Sequence, residues 1–166
     1  MARQILALLV IGGLCGTLLV TADAITSQQI QSNRQAQARL LYEDLLQTPL
    51  PDSLGLDAPP FGNCGQWLMG PIAVPGYAAG IELVGLWWPK PEQISLRTVR
   101  HLETPGIGDF IDSAVSSWMH EQDGQSPDHW QALDNVSGAT ITTQAIRRAA
   151  AEFSRQMQLQ CRDTAS

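Results

Sequence analysis

The stretch Asp134-Asn135-Val136-Ser137-Gly138-Ala139-Thr140-Ile141-Thr142-Thr143 places one hydroxyl, that of Thr140, just after two residues with almost no side chain. Behind it, apolar residues recur every three to four positions, at Ile146, Ala150, Phe153 and Met157. That spacing predicts a helix that begins at or beside Thr140. The unpaired N–H groups and the positive dipole end of a helix N-terminus favour a phosphate. Ser, Gly, Ala and Thr are also ordinary turn and N-cap residues, so a purely structural role fits this stretch too.

A second segment, Glu103-Thr104-Pro105-Gly106-Ile107-Gly108-Asp109, lies upstream. Its proline and glycines predict a tight loop whose backbone can approach a ligand closely. The same residues fit a turn between a strand and a helix, with Asp109 as N-cap, and both interpretations can hold together. After the loop, the spacing of apolar residues predicts a helix with one apolar face, formed by Phe110, Ile111, Ala114, Val115, Trp118 and Met119.

Taken together, the two segments resemble the FMN-binding domain of the G subunit of the Rnf electron-transport complex. The related C subunit of the sodium-pumping NADH:quinone reductase shares them. The resemblance extends over about Gly76 to Phe153. In those proteins the last threonine of the SGAT motif carries FMN through a phosphoester bond, so the resemblance implies that Thr140 carries FMN here.

The resemblance also implies roles for the residues around Thr140. Gly138 and Ala139 would give clearance, Asp134 and Ser137 would shape the acceptor loop, and Thr142 would hydrogen-bond the phosphate. The isoalloxazine ring would be lined by the second segment, that is by Glu103, Thr104, Pro105, Gly106, Ile107 and Gly108. A separate flavin transferase, using FAD and Mg²⁺, would attach the FMN. One departure is the short stretch between Trp118 and Trp130, where the family usually has an extra pair of strands.

An apolar run without charge extends from Ile5 to Ala22, about the minimum length for a membrane-spanning helix. A cleaved signal peptide is the alternative, with Thr21-Ala22-Asp23-Ala24 as a loose cleavage site. Because Arg3 is the charge that precedes the run, we expect the N-terminus in the cytoplasm and the rest outside the inner membrane. In a Gram-negative bacterium that compartment is the periplasm. Without Arg3, nine basic and sixteen acidic residues remain, and such an acidic balance argues against nucleic-acid binding.

The length of 166 residues suits one domain with a modest core. We expect a transmembrane anchor over 1–24, a helical stalk over 25–48, an irregular linker over 49–69 and the FMN-binding domain over 70–160. The segment from Gly70 to Leu102 predicts strands, joined at Trp88-Pro89-Lys90-Pro91 by a hairpin connection. The predicted fold class is therefore α+β: a small twisted antiparallel sheet with packed helices, preceded by one transmembrane helix.

Two of the three cysteines, Cys64 and Cys161, fall in the predicted exported part, where disulfides persist. The sequence is compatible with a disulfide bridge between them and with two free thiols. We expect the bridge. The sequence holds no CxxC pair and no Cys/His cluster, so it predicts no iron–sulfur, zinc or haem site.

The function implied by the resemblance is electron transport through covalently bound FMN, in a subunit of a membrane redox complex such as an ion-translocating ferredoxin:NAD oxidoreductase. Other membrane subunits would be its partners. The sequence shows no general base, nucleophile pair or metal triad, so an independent catalyst is not expected. Two alternatives remain: a stand-alone flavin-bearing sensor or assembly factor, and a structural subunit without flavin.

Overall fold

A computed structural model describes residues 2–50 and 59–164 of the chain. It divides into two compact units, Met1–Gln37 and Ala38–Ser166. Helix α1, Ala2–Leu46, supplies all of the described part of the first unit and continues into the second.

The N-terminal part of α1 has the properties of a membrane-spanning helix. The segment Arg3–Ser27 is long and apolar enough to cross a bilayer. Its 25 residues extend about 37 Å at 1.5 Å per residue, more than the roughly 30 Å hydrocarbon core. The described side chains of this segment are exposed. The predicted single apolar helix is therefore present, and it contains the whole run from Ile5 to Ala22.

The second unit is built on a four-stranded antiparallel sheet. Its strands are β1 (Phe61–Asn63), β2 (Trp67–Pro75), β3 (Gly80–Pro89) and β4 (Glu92–Arg100). They pair in the order β1-β2-β3-β4, because short connections join neighbours in sequence as hairpins. The connection between β3 and β4 is Lys90-Pro91. It is shorter than the predicted Trp88-Pro89-Lys90-Pro91, because Trp88 and Pro89 end β3 and pair with β4. Two α-helices follow, α2 (Pro127–Ala132) and α3 (Thr140–Asp163). The α+β prediction is confirmed.

Both faces of the sheet are covered, which explains why β3 is apolar almost throughout. On one face, Ile81 and Leu83 pack with Ile146 and Phe153 of α3. On the other face, Val84 and Leu86 pack with Tyr42 and Leu45 in the last turns of α1. Gly85 of β3 leaves room for α3, because a Cβ there would lie 2.5 Å from the ring of Phe153.

A buried arginine joins the end of α1 to the sheet. Arg97 of β4 is fully buried, and its guanidinium pairs with Asp44 of α1 at 2.6 Å and with Asp123 at 2.6 Å. Burial acts to lower the pKa of Arg97, but the hydrogen bonds that Arg97 donates to the two carboxylates outweigh it, so its pKa is raised. The charge is therefore kept and neutralised inside the domain.

The prediction of a helix after Asp109 is wrong. Two short 3₁₀ turns, Asp109–Ile111 and His120–Gln122, stand at the ends of an irregular segment. Its backbone is held by side chains: Asp112 Oδ1 accepts from the N–H of Ala114 at 2.9 Å, and Ser116 Oγ accepts from the N–H of Trp118 at 3.1 Å. Such local hydrogen bonds compete with a helix. Ile111 and Met119 are still buried, whereas Ala114 and Val115 are exposed.

The predicted irregular linker over 49–69 is wrong for the residues that β1 and the start of β2 occupy; positions 51–58 lie outside the described residues. The predicted bridge between Cys64 and Cys161 is confirmed, with Cα atoms 5.4 Å apart. It connects the turn between β1 and β2 to the last turns of α3.

Candidate functional site

A cavity of about 530 Å³ lies at the start of α3. Its volume is within the range of small-molecule and cofactor sites. Three segments far apart in sequence form its walls: the turn between β2 and β3, the loop after β4, and the turn that leads into α3 with the first residues of that helix. The residues that line it are Tyr77, Glu103, Thr104, Ile107, Gly108, Gly138, Ala139, Thr140, Ile141 and Thr142.

The first turn of α3 presents unpaired N–H groups. Ala139 is the N-cap, no side chain caps the helix, and the first helical bond runs from the N–H of Thr143 to the carbonyl of Ala139 at 2.9 Å. The N–H groups of Thr140, Ile141 and Thr142 therefore have no acceptor within the helix. The side chain of Thr140 is exposed on this turn. Together these groups make a short array of donors with a hydroxyl beside it.

Gly138 turns the chain into the helix. Its φ of +78° lies in the left-handed region that glycine adopts without strain. A Cβ at Gly138 would lie in ordinary van der Waals contact with Ile107 Cγ2, at 3.7 Å, so the loop after β4 packs close to this turn.

Buried Thr143 stabilises the turn that leads into α3. Its hydroxyl donates to the carbonyl of Ala139 at 3.1 Å and accepts from the N–H of Val136 at 3.2 Å. Arg147 Nη2 donates to Asn135 Oδ1 at 2.9 Å. The acceptor loop is thus held by the helix that follows it.

Glu103 is buried, and its carboxylate joins three segments. Oε1 accepts from the N–H of Tyr77 at 2.9 Å and from that of Ala78 at 3.4 Å. Oε2 accepts from the Thr142 hydroxyl on α3. The hydroxyl that the resemblance assigns to the phosphate therefore has Glu103 as its partner.

The loop from Thr104 to Asp109 closes on itself. The carbonyl of Thr104 accepts from the N–H groups of Ile107 and Gly108, at 3.1 and 2.8 Å. Asp109 Oδ2 accepts from the N–H of Gly106 at 2.9 Å. The predicted N-cap role of Asp109 is wrong, because Gly108 is the N-cap of the 3₁₀ turn and has no side-chain bond.

Glu103 is the charged residue among those that line the described cavity, and both of its carboxylate oxygens accept hydrogen bonds from the protein. Arg148 on the outer face of α3 donates to the carbonyl of Pro75 at 3.0 Å. An anion in this cavity would therefore meet the backbone donors of α3 first, and the helix dipole would favour it.

Comparison with known proteins identifies the family of the chain. The FMN-binding domain family matches residues 86–153. The G subunit of the ion-translocating oxidoreductase complex of Pseudomonas aeruginosa (strain UCBPP-PA14) is 30% identical over 164 residues, covering 80% of this chain and 77% of that protein. The protein of the same name from Shewanella loihica is 30% identical over 163 residues, covering 85% and 74%. The chain belongs to this G-subunit family.

Eight of the twelve residues predicted for the flavin site line the cavity of this chain. The four that do not are Pro105, Gly106, Asp134 and Ser137, all of them exposed. Two lining residues, Tyr77 and Ile141, were not predicted. The sequence did contain signals for both. Tyr77 is an aromatic residue among small ones between two strands, and Ile141 is an apolar residue that does not lie on the core face of α3.

Proposed function

We propose that this chain is a membrane-anchored subunit of a redox complex and carries electrons through FMN joined to Thr140 by a phosphoester. One observation carries the proposal: the cavity combines the two motifs and places the exposed Thr140 hydroxyl on the uncapped first turn of α3.

The cavity fits FMN by the chemistry of its wall. The N–H groups of Thr140, Ile141 and Thr142 suit the phosphate, and the helix N-terminus contributes about 0.3–1 kcal/mol to a nearby anion, more when it is partly buried. The loop of Thr104, Ile107 and Gly108 suits the flat ring, because cofactor sites combine apolar walls with a few polar groups. Asp134 and Ser137 shape the acceptor turn from outside the cavity, as Pro105 and Gly106 shape the loop. When bound, FMN supplies the capacity to take up and release single electrons.

Three threonine hydroxyls line the cavity, and their surroundings distinguish them. Thr142 is 2% exposed and donates to Glu103. Thr104 is exposed, yet it lies on the loop after β4 and not on the helical turn that carries the donors. Thr140 is exposed and adjoins the donors, and the nearby Gly138 has no side chain to cover it. We therefore assign Thr140 as the acceptor and Thr142 as support for the wall through Glu103.

Attachment requires a separate flavin transferase that uses FAD and Mg²⁺. The Thr140 oxygen bonds to the phosphorus on the flavin side of FAD while the pyrophosphate bond breaks, so AMP leaves and the hydroxyl proton is released. Gly138 and Ala139, which have almost no side chain, give the transferase clearance at Thr140. The relatives are named as subunits of an ion-translocating oxidoreductase complex, and we propose that other membrane subunits of such a complex are the partners here.

We place the FMN-binding domain on the outer side of the cytoplasmic membrane, in the periplasm. Arg3 precedes the membrane segment and the next basic residue is Arg34, which favours a cytoplasmic N-terminus. The bridge between Cys64 and Cys161 supports the same orientation, because disulfides persist outside the reducing cytosol.

The test is the mass of the denatured protein from cells that express the transferase. Wild type should carry the added mass of FMN on the peptide that contains Thr140, and Thr140→Ala should carry none. Thr104→Val is the matched control, since it removes a hydroxyl from the same cavity but not from α3, and it should retain the flavin. Flavin on Thr140→Ala, or its loss from Thr104→Val alone, contradicts the assignment.

A further inference from the structure

Tyr77 is an aromatic side chain left largely exposed at the cavity. It lies in the turn between β2 and β3, lines the cavity and is 67% exposed. Ile107 and Ile141 line the same cavity and are 49% and 45% exposed. Three apolar side chains around one cavity remain in water in the free protein. A flat aromatic ligand would remove part of each from water.

The backbone of Tyr77 is fixed by the buried carboxylate of Glu103. Oε1 accepts from the N–H groups of Tyr77 and Ala78, and the N–H of Gly76 donates to the carbonyl of Ala79 at 2.8 Å. A Cβ at Gly76 would lie 2.4 Å from Glu103 Oε1, so glycine is needed for the carboxylate to reach the turn.

The other oxygen of Glu103 is bound by Thr142, two residues after Thr140. One carboxylate therefore sets the position of the Tyr77 backbone relative to the first turn of α3. That connection links an aromatic ring on one side of the cavity to the proposed attachment point on the other.

We propose that Tyr77 packs against the isoalloxazine ring of the attached FMN, and that Glu103 is the positioning residue that holds Tyr77 there. The inference rests on the proposed function, since it requires FMN at Thr140. It adds a contact outside residues 86–153, the part of the chain that the FMN-binding domain family matches. Its consequence is that the tethered ring stays in the cavity rather than swinging on its phosphoester.

The experiment uses the full chain, flavinylated in cells and purified in detergent, and measures the fluorescence lifetime and anisotropy of the flavin. A phenol in contact with an excited flavin quenches it by donating an electron that then returns, so packed rings give a short lifetime. Tyr77→Leu should lower the ratio of packed to free ring about 2- to 12-fold. Tyr77→Phe should keep the high anisotropy and lose the short lifetime, because phenylalanine packs without the phenol.

Two further comparisons isolate the role of Glu103. Glu103→Ala should lose the short lifetime although Tyr77 is intact, and Glu103→Gln, which keeps an acceptor for the Tyr77 N–H, should largely restore it. Leu102→Ala is the control: Leu102 is 70% exposed and does not line the cavity, so neither quantity should change.

Lifetimes are compared per attached flavin, measured on the denatured protein, so that a change in attachment does not enter the result. If Tyr77→Leu attaches no flavin, Tyr77→Phe decides the question. A short lifetime that survives Tyr77→Leu or Tyr77→Phe overturns the inference and leaves the proposed function intact. Wild-type protein without covalent flavin overturns both.

Discussion

The substitution Thr142→Val measures how much the hydrogen bond between Thr142 and Glu103 stabilises the domain. Valine keeps the branched shape of threonine and replaces the donor with a methyl group. Thr142 is 2% exposed and Glu103 is 5% exposed, so water has little access to the carboxylate oxygen that loses its partner. A buried acceptor without a donor costs about 1–3 kcal/mol. We expect the free energy of unfolding to fall by that amount.

The assay is urea unfolding of the flavin-free full chain in detergent, followed by tryptophan fluorescence. With a slope of about 2 kcal/mol per molar urea, the midpoint should fall by about 0.5–1.5 M. Thr140→Val is the matched control on the same helical turn: its hydroxyl is exposed, so the change should stay within about 0.5 kcal/mol. Equal midpoints for the two variants would show that Thr142 does not support Glu103.

Three other predictions concern the rest of the chain. Replacing Cys64 and Cys161 with serine should lower the free energy of unfolding by about 4–5 kcal/mol, because the bridge closes a loop of 97 residues; alkylation of both thiols in unreduced wild type would disprove the bridge. A reporter that is active only in the periplasm, fused after residue 166, should be active, and activity of a cytoplasmic reporter instead would reverse the orientation. Burial acts to raise the pKa of Glu92, but hydrogen bonds from Ser154, Trp87 and Gln158 outweigh it and lower the pKa. The stability that this lowered pKa provides is present above the ordinary glutamate pKa of 4.5 and is lost as the pH falls through the folded value. Melting temperatures of wild type should therefore drop more steeply below pH 4.5 than those of Glu92→Gln, and parallel curves would contradict this.

Local signals in the sequence were sufficient to predict the start of α3 and the hairpin between β3 and β4. The start of α3 followed from a glycine turn and a clear helical period, and both are properties of neighbouring residues. The hairpin between β3 and β4 followed from the prolines, although Pro89 ends β3 and the connection itself is Lys90-Pro91. The meeting of the two motifs came from the resemblance to a family, since no local pattern states that Gly108 and Thr140 lie on the same cavity.

Two features that the sequence did not predict depend on partners distant in the chain. Glu103 looked like a ligand contact, but its partners are at positions 77, 78 and 142. Arg97 is fully buried in β4 because its carboxylates come from positions 44 and 123. The prediction of a helix after Asp109 was wrong for a local reason. The apolar residues there have helical spacing, but the side chains of Asp112 and Ser116 accept hydrogen bonds from nearby backbone N–H groups and keep the segment irregular.

The position of the Thr140 hydroxyl, the proposed acceptor, follows from the packing of α3 as a whole. The middle of this helix is buried against the sheet through Ile146 and Phe153, and its far end is tied to the turn between β1 and β2 by Cys161. A helix held at its middle and its end has a fixed first turn, and Thr143 fixes the preceding loop from within that turn. Thr140 is therefore positioned before any flavin is attached. For the proposed attachment at Thr140, a transferase would therefore meet an exposed hydroxyl on a helix that is already packed against the sheet.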